Sequence, residues 1–200
     1  MDNIDIRKLK KQFFDIVEKN VKREGVLELC KKLEGTDFFT APASRMNHGS
    51  FEGGLLAHSL AVWDELYYET RLLFMTEGKK QVPDDIMESI TIMALFHDLC
   101  KTNYYGVSQR NTKDEKGKWI QVPYYTIDDK FPFGHGDKSV VMLMDAGIRL
   151  TTTEMLAIKH HMGGYAPKED WSSSSKAYSE NALILLLHIA DMKATYIRKI

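Results

Sequence analysis

Cysteine is scarce in this chain. Only Cys30 and Cys100 occur among 200 residues, without CxxC spacing, so a disulfide framework is excluded and a reducing cytoplasm is the expected setting. Long apolar runs are also missing. The longest, Ala182 to Leu187, is far too short to span a bilayer, and MDNIDIRKLKKQFF lacks the apolar stretch of a signal peptide. Neither sign of charge is in surplus: 27 Lys+Arg against 28 Asp+Glu leave −1. That balance argues against a broad grip on duplex nucleic acid or an anionic membrane and leaves room only for a local basic pocket. There is no internal repeat, no linker, and no low-complexity tract beyond the serines of Trp171 to Lys176. What remains, 44% hydrophobic and 28% charged residues, is the balance of one folded domain with a real core.

Apolar residues recur with helical spacing at Ile6, Leu9, Phe13, Ile16 and Val17, which predicts a helix from Ile4 to about Asn20. A short helix follows from Gly25 to Leu33, and Thr40 to Gly54 reads as a long glycine-rich loop. A wide apolar stripe predicts a helix from Leu55 to about Thr76. Asp84, after Pro83, is placed to cap the next helix, which is expected to run through IMESITIMALFHDLCK. Tyr104 to Ile127 alternates around a polar middle and predicts a β-hairpin with its tip near Lys113 to Lys118. FPFGHG reads as a tight loop before a helix from Asp137 to Ala146. Thr151 with Glu154 has the pattern of a capping box, opening a helix that breaks at Gly163-Gly164. Trp171 to Lys176 is expected to be a surface loop, and a last helix covers Asn181 to Ile197. Met142, Met144, Met155 and Met162 read as core filler, and Cys100 as a small buried apolar residue. The fold class is therefore all-α with a small hairpin insert.

Seven histidines, at 48, 58, 97, 135, 160, 161 and 188, each lie near a glycine turn or in an apolar helix. Each, if buried, needs a hydrogen-bond partner, and a shared metal accounts for several at once. His97-Asp98, directly after the apolar run IMALF, places an imidazole and a carboxylate side by side. Neighbours on a helix point ~100° apart, yet a long imidazole and a short carboxylate can converge on one ion. Asp98 and Lys101 are spaced to share a face, which puts an ammonium where a phosphate could lie. His58 and Asp191 sit in apolar helices, and a buried unpaired carboxylate at Asp191 calls for a cation. The tyrosines at 104, 105, 124 and 125 are read as hairpin packing, with one able to stack on a base.

The ordered series His58, His97-Asp98 and Asp191, with HDLCK for the frequent HD-x-G-K, resembles the HD-domain superfamily of metal-dependent phosphohydrolases. PASRMNHGSFEGGLLAHSLAV, FPFGHGDKS and AIKHHMGG resemble a bacterial branch that includes the HD part of certain 3′–5′ exonucleases. The likeness covers Pro42 to Thr195. It implies a single HD-type domain over 1–200, with N-terminal helices in 1–40, a metal-site core in 42–200 and the hairpin as an insert.

It also implies that His58, His97, Asp98 and Asp191 ligate a metal. His135 and His161 would be the extra ligands of two-metal members, with His160 the competitor of His161. One or two divalent ions are implied, among Mn, Fe, Ni, Zn and Mg. Water activated by the metal would attack phosphorus while Lys101 stabilises the developing charge. Lys138, Arg45, His48 and His160 are the further substrate contacts. The substrate implied is a small phosphorylated molecule such as a nucleotide. Alternatives are a 3′–5′ exonuclease or phosphodiesterase on short single strands, a mixed-valent di-iron oxygenase on the same fold, and a non-enzymatic nucleotide-binding module.

Overall fold

A computed structural model describes residues 4–200. The first three residues of the expected 1–40 helical segment lie outside the described residues. The chain is mostly helical with one two-stranded antiparallel hairpin. No helix among the described residues is long and apolar enough to cross a membrane.

Asp5 caps α1 (Ile6–Asn20) by accepting from the amides of Arg7 and Lys8. α2 (Val26–Leu33) follows across Gly25. Phe13 of α1 is wholly buried where it meets Phe38, Phe39 and Phe96 edge-on. That aromatic cluster ties the N-terminal helices to the loop before α3 (Gly54–Thr76) and to the end of α4 (Asp84–Phe96). Every residue from Gly54 to Val62 and from Ile90 to Phe96 is buried. These are helices without a solvent face, as expected of elements at the centre of a core. α3 packs against both α4 and α8 (Ala182–Lys193), and α6 (Thr152–His160) packs against α8 and α5 (His135–Asp145).

Five expectations need correction. Asp84 does not cap α4: it is the first helical residue, and Pro83 takes the cap position with extended backbone and no side-chain bond. α4 does not run on through HDLCK but stops at Phe96, because Asp98 leaves helical geometry at φ −103°, ψ 20°; a short 3-10 turn, Leu99–Lys101, follows. His135 opens α5 rather than lying in the loop before it. Trp171 to Lys176 is the first half of α7 (Trp171–Glu180), not a loop. Its serines return hydrogen bonds along the helix, from Ser173 and Ser174 to the Asp170 carbonyl, while Tyr178 Oη donates to the His160 carbonyl. Tertiary contact overrides the poor propensity of a serine run. Finally, Met144 is 54% exposed and fills no core. The last helix narrows to Ala182–Lys193 and continues as a wider turn over Ala194–Arg198.

The hairpin pairs β1 (Tyr105–Lys113) with β2 (Trp119–Ile127) in register from Tyr105↔Ile127 to Lys113↔Trp119. A two-stranded ribbon is marginal alone, and this one is fastened at its base. Tyr105 Oη donates to the Ala43 carbonyl at 3.3 Å, and the Asn103 amide donates to Asp37 at 2.5 Å.

The capping box of α6 is present, and Glu154 does more than cap. Its fully buried carboxylate accepts from both Arg23 guanidinium nitrogens, at 2.6 and 2.9 Å, from Ser89 at 2.6 Å and from the Thr151 amide at 2.7 Å. Burial would raise its pKa, but these donors outweigh burial and hold it below the usual carboxylate range. A pKa depressed in the folded state gives stability that is present above the unfolded value of ~4.3 and lost as pH falls through the folded one. Glu154→Gln is therefore expected to lose about 3 kcal/mol at neutral pH, as for one broken partner of a buried pair. Urea denaturation of both proteins should show that gap closing as the wild type is acidified.

Candidate metal centre

The helix that stops at Phe96 solves the problem of adjacent ligands. His97 takes the C-cap position of α4, where the last carbonyls have no helical donor. Its Nδ1–H donates to the Ala94 carbonyl at 2.8 Å. His161 takes the same place at the end of α6 and donates from Nδ1 to the Ile158 carbonyl at 2.6 Å. His58, inside α3, lies 3.1 Å by Nδ1 from the Ile200 carbonyl. A backbone oxygen only accepts, so each ring carries a proton on Nδ1, and in the neutral rings of His97 and His161 the unpartnered Nε2 carries a lone pair.

Those three Nε2 atoms converge. His97 Nε2 lies 3.4 Å from Asp98 Oδ2, His161 Nε2 3.6 Å from Asp98 Oδ1, and His58 Nε2 3.0 Å from Asp191 Oδ1 and 3.8 Å from Asp98 Oδ2. Potential ligand atoms of His58, His97 and Asp98, and of His97, His161 and Asp191, fall within 4.8 Å of one another. His97 Nε2 and His161 Nε2 are buried and have no hydrogen-bond partner. A lone pair gains nothing from a neighbouring carboxylate, since neither group has a proton to offer. A buried acceptor left this way costs about 1–3 kcal/mol. The donor set therefore fits a cation: two triads that share His97 bring imidazole nitrogens and a carboxylate together, with His97 and His161 each held from behind by a carbonyl.

His135 differs. Its Nε2 donates to Asp98 Oδ1 at 2.8 Å, and its Nδ1 lies 3.2 Å from Cys100 Sγ. Burial followed by the nearby Asp98 charge pushes the Cys100 thiol up to about 12, so it keeps its proton at neutral pH. Gly136 allows this approach: a Cβ there would stand 2.2 Å from the Lys159 carbonyl oxygen, so only glycine lets α5 rest on α6 beside His161. Gly163, at φ +52°, likewise leaves space for the His188 ring, whose Nδ1 donates to the His161 carbonyl at 2.7 Å.

Burial opposes ionisation of Asp98, but the Lys101 ammonium and the hydrogen bond from His135 prevail and hold its carboxyl well below the usual range. Lys101 Nζ donates to Asp98 Oδ2 at 2.7 Å. Burial works against the Lys101 charge too, and Asp98 more than offsets it, raising the ammonium above the ordinary lysine value. Asp191 is also depressed, burial being outweighed by His58. His48, whose ring centre lies 5.2 Å from that of His58, is pushed down to about 4 by burial and then by neighbours that include the Lys101 ammonium, so it is neutral at pH 7.

A cavity of about 740 Å³ opens over this cluster. Asp98, Lys101, His58, His135, Asp191, His48 and Arg45 reach its wall. Two expected substrate contacts do not. Lys138 is buried beneath the hairpin base, 2.5 Å from Asp129 and over the Tyr104 ring, because that carboxylate and ring take its ammonium. His160 points away from the cluster: Ser174 Oγ lies 2.9 Å from its Nδ1, beneath α7. His160→Ala should cost about 2 kcal/mol in denaturation for the lost bond and packing, with metal content by elemental analysis unchanged.

Tyr165 opens the segment to Lys176 expected to carry specificity, and it does line the cavity, but the rest of the outer wall, Met192, Thr195, Tyr196 and Lys199, was not foreseen from the sequence. Thr195 stands four residues beyond Asp191, a helical spacing that could have placed it beside the site. Met162, read as core filler, also lines the cavity. No family model, curated protein or solved structure matches this chain.

Proposed function

We propose that the protein is a metal-dependent phosphohydrolase built on an HD-type helical bundle, acting on a nucleotide or another small phosphate ester. One observation carries the reading. Two imidazoles, His97 and His161, are held by backbone carbonyls in the tautomer that presents Nε2, and both of those nitrogens are buried without a partner beside Asp98, with His58 Nε2 close by. The HD-like series of residues supports it independently.

His58, His97, Asp98, Asp191 and His161 would hold the ion, with His135 able to join once its Nε2 releases Asp98. A divalent cation in such a setting polarises a phosphoryl oxygen and lowers the pKa of water toward ~7. The chain supplies the rest. Lys101 brings a fixed positive charge to the cavity floor, where an equatorial phosphate oxygen gains negative charge during attack. Arg45 stands exposed on the cavity wall and can pair a second oxygen. Neutral His48 can accept a hydrogen bond from attacking water or a substrate hydroxyl without adding charge.

The test is elemental analysis of protein purified without added metal, followed by a phosphatase and nucleotidase panel with Mn, Mg, Ni, Co and Zn. The expected result is a bound divalent metal and release of phosphate or alcohol from at least one substrate class. Absence of both metal and turnover overturns the reading.

A further inference from the structure

The cavity over the cluster has a neighbour that shares part of its wall. A second cavity of about 370 Å³ lies between the hairpin and the loop before α3. Arg45 and Met46 line both. The second is walled further by Ser50, Arg110, Tyr124 and Tyr125. Each volume falls in the range of ~300–1,000 Å³ usual for small-molecule sites.

The chemistry of the second cavity is specific. Arg110 lies over the Tyr124 ring at 5.6 Å, and both are on strands held in register by the whole ladder. Arg45 and Arg110 are both exposed, and neither is engaged in an ion pair among the described residues. Two guanidinium groups beside two tyrosines and a methionine suit an aromatic ring carrying an anion. Arg45, shared by the two cavities, lies where a phosphate joining two units would pass from one to the other. A monoester seated at the cluster would leave Arg110 and Tyr124 untouched.

We propose that the second cavity is a subsite for the far half of a phosphodiester, so that the substrate is dinucleotide-sized, with one unit over the metal-ligand cluster and the other against Arg110 and Tyr124. The inference rests on the hydrolase reading for its chemistry but not for its binding. In the reaction one P–O bond to the leaving oxygen breaks and one to the water oxygen forms. One water proton goes to the leaving alcohol and the other to solvent, and the product is a phosphomonoester.

The test uses the full chain with Mn²⁺ and two chromogenic probes: thymidine 5′-(p-nitrophenyl phosphate), a diester with two aromatic units, and p-nitrophenyl phosphate, which has one. Arg110→Ala and Tyr124→Ala should each raise KM for the diester about tenfold and leave KM and kcat for the monoester unchanged, since truncating a charge-assisted or stacking contact acts on that order. Equilibrium dialysis with a phosphorothioate adenosine dinucleotide and with AMP supplies a readout that needs no turnover. Loss of dinucleotide affinity alone in the variants supports the subsite, even if the wild type hydrolyses nothing, in which case the hydrolase reading falls and the subsite stands. Unchanged diester KM and unchanged dinucleotide binding in both variants overturn the subsite, whatever the wild type hydrolyses.

Discussion

Asp98→Asn should leave a folded protein that binds no stoichiometric divalent metal and has lost at least about 1,000-fold in phosphate-ester turnover. The magnitude follows from position. Asp98 is the carboxylate common to His58, His97, His135 and His161, with every one of these Nε2 atoms within 3.8 Å of it. Removing a single transition-state donor from an enzyme costs ~100–1,000-fold, and this change removes the group around which the other ligands are arranged. An amide keeps the shape but not the negative charge that offsets a divalent ion. It also removes the counter-charge that Lys101 meets at 2.7 Å in the metal-free protein. The metal-free variant should therefore also unfold earlier, by about 3 kcal/mol, the cost of breaking a buried pair. Circular dichroism and a melting curve separate that loss from misfolding, and elemental analysis with steady-state kinetics reads the rest.

Lys101→Met should separate binding of the ion from use of the substrate. The methionine keeps the aliphatic stem and removes the ammonium. With the cation bound, Asp98 has a counter-charge without Lys101, so metal content should stay near that of the wild type. Turnover should still fall by about 100- to 1,000-fold through kcat, because in the proposed reaction the lost charge would face the phosphoryl oxygen. The metal-free variant behaves oppositely: Asp98 then has no cation and the fold is weakened. Melting temperatures with and without Mn²⁺ should thus differ more for the variant than for the wild type.

Much of this was legible in the residues. The helical periodicity around Phe13, the Thr151–Glu154 box and the alternation of the hairpin depend on local chemistry, and local chemistry is written in the sequence. The break after Phe96 was not legible, since IMALFHDLCK carries no glycine or proline. It comes from His97 bonding back to the Ala94 carbonyl and from the geometry of Asp98. α7 was invisible for the opposite reason: its serines favour turns, and contacts with His160 and its carbonyl decide the matter. At the site, the choice between His160 and His161 turned on which ring reached the end of α6, a question of one residue. The burial of Lys138 depended on Asp129, whose meeting with it is set by the loop between β2 and α5. Residue identity proposed the chemistry, and only helix ends and packing could say which side chains share a point in space.

The central claim is that these lone pairs and carboxylates are arranged for a cation. Calorimetric titration of chelator-stripped protein with Mn²⁺ at neutral pH tests it most directly, comparing the wild type with the paired change His97→Gln and His161→Gln. The account predicts saturable uptake of at least one ion per wild-type chain and no saturable uptake by the folded double variant. A wild type that takes up no ion, or a double variant that binds as the wild type does, would contradict it.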